Sequence, residues 1–181
     1  MEKRRYALVA YVRNPAGEFV ENLRRELHPQ LPHLPAHLTI LPPRCLQSTE
    51  PAALEVLDRI CSAEQSFEVH LGEVETFIPV TPTVYIRVDE QTSRMIELHA
   101  HLNVDGLAFK EEWPYIPHLT IVKMSSPEAA VEACRVARER WAVYKHSRRI
   151  TVEKLTFVRE DAENHWVDLA PVSLGRHLVS R

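Results

Sequence analysis

The chain has 181 residues, enough for one domain or for two small lobes sharing a core. Hydrophobic residues make up 45% and charged residues 26%, the balance of a globular chain, which excludes a disordered or fibrous one. A formal net charge of −3 excludes the basic footprint of a protein that coats long nucleic acid, yet leaves room for a local cationic groove.

Taken in chain order, Met1-Glu2-Lys3-Arg4-Arg5 precedes an apolar run that Arg13 cuts short. No small-residue cleavage site follows, so no signal peptide is read and a cytoplasmic location is expected. Residues 6–13 are rich in apolar and β-branched side chains and predict a strand. Asn14-Pro15-Ala16-Gly17 then opens a helix over 18–27, with Phe19, Leu23 and Leu27 on one face. Four prolines between 29 and 42 punctuate an extended connector and a short strand over 37–41, which Pro42-Pro43 is expected to stop. A helix over 50–65, strands over 67–80 and 83–89, and a helix over 92–102 follow. A loop over 103–117 holds Trp113-Pro114-Tyr115 and leads into a strand over 118–124. A helix over 127–144 comes next, and β-runs over 150–159 and 165–169 flank a polar turn. Mixed helices and hairpins predict an α+β fold. Cys45, Cys61 and Cys134 are few, odd in number and far apart, and read as reduced thiols with no disulfide and no zinc ribbon.

The tetrapeptide His-Leu-Thr-Ile occurs twice, at His37-Leu38-Thr39-Ile40 and at His118-Leu119-Thr120-Ile121. Each copy has a proline just upstream and lies in a matching place of a rough internal repeat. That repeat predicts two pseudo-symmetric lobes facing one another. On a strand, residues two apart share a face, so His37 projects with Thr39 and His118 with Thr120, while the leucines turn into apolar packing. Two such strands side by side surround one pocket with two imidazoles and two hydroxyls. Moving a phosphoryl group between oxygens calls for that set. One imidazole takes a proton from the attacking oxygen, the other gives one to the leaving oxygen, and hydroxyls hold the non-bridging phosphate oxygens. Arg44, just beyond the first motif, is a candidate phosphate ligand, and Tyr115 and Trp113 are candidates to stack on a base.

Paired His-x-Thr motifs with these flanks resemble the 2H phosphoesterase superfamily, which includes the 2'-5' RNA ligase-like proteins and cyclic nucleotide phosphodiesterases. The resemblance follows the element order over most of the chain, and its specificity rests on the two motif patches. It implies two α+β lobes with antiparallel sheets around a central groove, helices on the outside, and no metal or cofactor. It implies His37 and His118 as catalytic residues, acting on a 2',3'-cyclic phosphate or a 2'-5' linkage. Family members often carry arginine three residues beyond the second threonine. Lys123 stands there instead and is the expected phosphate ligand, with the charge kept and the bidentate fork lost.

The expected partner is therefore a nucleotide or an RNA end as substrate, with no DNA and no membrane. The oligomeric state is left open, a monomer being sufficient. The competing reading is a non-catalytic nucleotide or RNA binder with the same groove. His28, His33 and His37 share a segment but match no zinc spacing. His99 and His101, two apart on a helix, do not share a face and read as surface or packing residues. The basic run over 145–149 reads as a solvated helix end.

Overall fold

A computed structural model describes residues 3–30 and 34–175. The strands are β1 (Tyr6–Tyr11), β2 (His37–Arg44), β3 (Phe67–Thr76), β4 (Thr83–Glu90), β5 (His118–Lys123), β6 (Arg149–Val152), β7 (Lys154–Ala162) and β8 (His165–Ser173). The helices are α1 (Pro15–Leu27), α2 (Glu50–Ala63), α3 (Thr92–Leu102) and α4 (Pro127–Ala142). Three helices begin on a side-chain cap. Asn14, Thr49 and Ser126 each accept the backbone N–H three residues on, with a proline in the first turn, where its missing N–H goes unused.

All strands join one antiparallel sheet in the order β6-β3-β4-β5-β2-β1-β7-β8. The fold is α+β, as expected, and the expected pair of sheets is the two four-stranded halves of one curled half-barrel. The halves meet where β2 and β5 oppose Leu38 to Leu119. A single apolar cluster joins all four helices to one face of the sheet, from Leu8 and Leu38 in one half to Ile86 and Leu119 in the other. The opposite face carries a smaller cluster around Ala7, Val9 and Val158, and it is the face that holds the groove.

Several boundaries depart from the expected ones, β3 ending at Thr76 and not 80 and β8 running on to Ser173 and not ending at 169, and two departures have a plain cause. β2 runs on through Pro42-Pro43 to Arg44, because the pairing with β1 shifts register there and neither proline is asked for a ladder N–H. The apparent single run over 150–159 is two strands. The chain leaves β6 at one edge of the sheet, passes Glu153 and enters β7 beside β1 in the other half. His33 and His177 lie outside the described residues. No helix among the described residues is long and apolar enough to cross a membrane.

Candidate active site

β2 and β5 bring the two tetrapeptides together at the centre of the sheet. Leu38 and Leu119 oppose each other and are fully buried on the helix side. One step to either side, antiparallel pairing sets His37 beside Thr120 and Thr39 beside His118 on the groove face. All four side chains are half-buried. Among the described residues neither threonine hydroxyl is spent in a hydrogen bond. The sequence-level grouping of these four residues therefore holds in space.

The two imidazoles are held alike. His37 Nδ1 lies 2.7 Å from Pro35 O, and His118 Nδ1 lies 2.6 Å from Ile116 O. A carbonyl can only accept, so each Nδ1 carries its proton, and each Nε2 is left as the atom that gains or loses one. Burial lowers the His37 imidazole to about 4, with the Arg24 guanidinium and His118 adding to the effect and Glu21 opposing it. Burial lowers His118 as well, against its bond to Ile116. Both rings are thus neutral near pH 7.

The threonines are followed by two buried residues in each copy, Ile40-Leu41 and Ile121-Val122, which breaks the alternation of a strand. The cause is a β-bulge in the same place of both motifs. Thr39 opposes Val9 while Leu41 opposes Leu8, and Thr120 opposes Tyr85 while Val122 opposes Val84. The extra isoleucine flips the pattern beyond it. Simple alternation would point Lys123 away from His118, whereas the bulge returns it to the groove face, opposite Thr83. Lys123 is exposed there. The matching position after the first motif is Pro42, which carries no charge.

Arg44 is a correction. Its guanidinium is 2% exposed, and it donates to Pro42 O, Asn103 Oδ1, Leu107 O and Glu111 Oε1. It pins the 103–111 loop beneath the groove and has no donor turned to a substrate. Tyr115 stacks on His99 with centroids 4.0 Å apart and planes 7° apart, and its hydroxyl donates to Thr39 O at 2.8 Å. One face of the ring is therefore already occupied. Trp113 is 57% exposed and lines, with Tyr115, Phe77, Phe109, Val80 and Ile116, an apolar cavity of about 480 Å³ beside His118 and Thr39.

Sequence reasoning missed several neighbours. Phe77 and Tyr85 meet the His118 ring edge-on, at 4.9 and 5.3 Å between centroids. Arg87, opposite His118 on β4, is held by Glu75 and Asp89. On the other side of the motifs, Tyr11 lies opposite His37 and bonds Asp168, beside a second cavity bearing Arg13 and Lys154. The missing signal was strand pairing, because these residues are close only through cross-strand register. Among the described residues no three His, Cys, Asp or Glu side chains gather as metal ligands.

A family model described as the 2'-5' RNA ligase superfamily matches residues 12–164. Among curated proteins, BH1439 of Halalkalibacterium halodurans, named provisionally as a phosphoesterase, is 26% identical over 64% of this chain and 68% of its own length. OB1230 of Oceanobacillus iheyensis, named in the same way, is 26% identical over 66% of this chain and 70% of its own. Among solved structures, TT0787 of Thermus thermophilus aligns with a TM-score of 0.65 and 16% identity, over 96% of this chain and all of that one. E. coli LigT complexed with 3'-AMP aligns with a TM-score of 0.64 and 17% identity, over 97% of this chain and all of that one. At such identities the structural likeness is one of fold.

Proposed function

The chain belongs to the 2'-5' RNA ligase superfamily of two-histidine phosphoesterases, and from that premise we propose that it opens 2',3'-cyclic phosphates, or splits 2'-5' linkages, at nucleotides and RNA ends. The observation that carries this reading is the matched pair of imidazoles. Both lie on the same face of the sheet at the β2–β5 seam, and each has Nδ1 bonded to a carbonyl two residues upstream, which leaves Nε2 for proton transfer.

In this reaction the neutral ring takes a proton from water through Nε2 as the water oxygen bonds to phosphorus. The protonated ring gives its Nε2 proton to the departing ribose oxygen as the P–O bond breaks, leaving a phosphomonoester. One proton is gained and one lost, so the pair ends with its roles exchanged and resets through solvent. Thr39, Thr120 and Lys123 hold the non-bridging oxygens where negative charge collects. The two motifs are related by an approximate two-fold rotation at the β2–β5 seam, so the direction in which the substrate lies decides which ring starts as base. The apolar cavity lies beside His118 and Thr39 and not beside His37, which supports a fixed direction with the nucleoside in that cavity. Its volume falls in the range of small-ligand sites. E. coli LigT has been solved with 3'-AMP, ATP and NADP+, which supports a nucleotide as ligand class.

The test is a phosphorus NMR time course on 2',3'-cyclic mononucleotides and 2'-5' dinucleotides with excess EDTA. Turnover to a single monoester is expected, and His37→Ala and His118→Ala should each lose about 10²-fold or more while remaining folded. Binding without turnover across the panel would instead assign the groove to a non-catalytic nucleotide binder. A double alanine variant as active as the parent would remove both histidines from the chemistry.

A further inference from the structure

A bulge takes backbone carbonyls out of the ladder, and a carbonyl buried without a partner is costly. Four carbonyls sit at the two motif bulges, Thr39 O and Ile40 O in β2 and Thr120 O and Ile121 O in β5. All four are met by side chains. Tyr115 Oη donates to Thr39 O at 2.8 Å and His99 Nδ1 to Ile40 O at 2.8 Å. Arg24 Nη2 donates to Thr120 O at 3.0 Å and Arg24 Nε to Ile121 O at 2.7 Å. Unrelated residue types thus serve equivalent carbonyl pairs in the two copies.

The donors also come from the wrong half of the sheet. α1 leaves β1, in the half that holds the first motif, yet packs on β5; α3 leaves β4, in the other half, yet packs on β2. Arg24 is 4% exposed and His99 8%. The segments that lead into the motifs are tied across in the same sense. Arg24 Nη1 donates to Leu34 O at 2.9 Å, three residues before His37, and Tyr115 stands three residues before His118. Glu21 completes the first approach by accepting the Ala36 N–H.

We propose that Arg24 and the stacked His99–Tyr115 pair are the positioning residues of the two-histidine site, each fixing one bulged motif, and with it the aim of one Nε2, from the opposite half of the sheet. The inference rests on the reading of His37 and His118 as the acid–base pair. Each motif is then held upstream by the Nδ1–carbonyl bond and downstream by the clamp on its bulge. The clamps are alike in geometry and unlike in charge. Arg24 sets a permanent cation near His37. His99 instead faces the Glu111 carboxylate at 3.2 Å through Nε2. The groups facing His37 are Arg24 and Glu21 from α1, His118 from β5 and the Tyr11 phenol from β1.

Three variants test this. Tyr115→Phe keeps the ring on His99 and in the cavity wall and removes only the bond to Thr39 O. Arg24→Lys keeps the charge and loses the fork, and Arg24→Met loses both. With a 2',3'-cyclic mononucleotide, Tyr115→Phe and Arg24→Lys should each lower kcat about 10- to 100-fold with KM nearly unchanged, the signature of misaimed groups. Arg24→Met should in addition move the His37 titration up, read by ¹⁵N NMR of the imidazoles, while Arg24→Lys leaves it in place. A raised KM at constant kcat in Tyr115→Phe would make that residue a cavity wall and overturn the inference for its clamp. An unmoved kcat in Arg24→Lys would overturn it for Arg24. Should Arg24→Met fail to fold, the other two variants decide. A parent that turns over no phosphodiester refutes the proposed function separately. The imidazole spectra then still judge the clamps, since ring shifts of His37 and His118 identical to the parent in both milder variants would show that neither clamp acts on them.

Discussion

The folded His37 ring stays neutral down to about 4, because burial and the nearby Arg24 guanidinium oppose its protonation. In the unfolded chain a histidine takes its proton near 6.5. Above 6.5 neither state binds it, and the neutral ring costs nothing. As pH falls from 6.5 towards 4 the unfolded chain is protonated first, so stability present at neutral pH is lost across that window. At pH 5 the loss is at most about 2 kcal/mol, since a half-buried ring is partly screened by solvent. His118, lowered in the same direction, adds to it. Urea titrations at pH 7.5 and pH 5 should therefore show a smaller acid loss in His37→Gln than in the parent. Equal losses would mean that the ring is not held neutral by the fold. The four motif residues were legible in the sequence because their role depends on a local period of two. Arg24 and His99 were not, since nothing local tells a helix-borne cation or imidazole that it will cap carbonyls on a strand about 60 to 100 positions away. Arg44 misled for the complementary reason. A cation next to a motif reads as a ligand until burial beside Glu111 shows where its donors go.

At the scale of elements, the existence and kind of nearly every helix and strand could be read from period and punctuation. α3 matches its expected span of 92–102 residue for residue. The bulges could have been read too. Two successive apolar residues after each threonine, Ile40-Leu41 and Ile121-Val122, cannot both face the core from a regular strand. Their consequence is the placement of Lys123, which an unbulged β5 would turn away from the groove. Lys123→Met should raise KM for a cyclic phosphate about tenfold and flatten its dependence on salt, with Lys123→Arg close to the parent. Steady-state kinetics at two ionic strengths would decide, and a Lys123→Met enzyme with the parent's KM would place that ammonium outside the phosphate site. What period could not disclose is partnership. Residues 150–159 look like one strand because both parts are apolar and β-branched. Only long-range pairing, β6 with β3 and β7 with β1, sends them to different halves.

At the scale of the whole molecule, the internal repeat foretold two halves but not how they are locked together. One curled sheet, one apolar cluster and two helices packed on each other's motif strand leave neither half with a core of its own. A duplicated pair of lobes joined only by a seam would open at that seam, and a site built across it would lose its geometry first. Here the cross-packing of α1 on β5 and α3 on β2 makes separation of the halves equivalent to unfolding both. The molecule should accordingly unfold as one unit. Trp141 on α4 packs against β3, and Trp166 lies on β8, so single-tryptophan variants report on the two halves separately. Leu57→Ala in α2, a fully buried side chain on the half that holds β8, should cost about 2–5 kcal/mol. The urea midpoint seen by Trp141 in the other half should fall by the same amount as that seen by Trp166. Midpoints that separate, or a transition in two steps, would mean that each lobe stands alone and that the two imidazoles are aligned by their seam and not by a shared core.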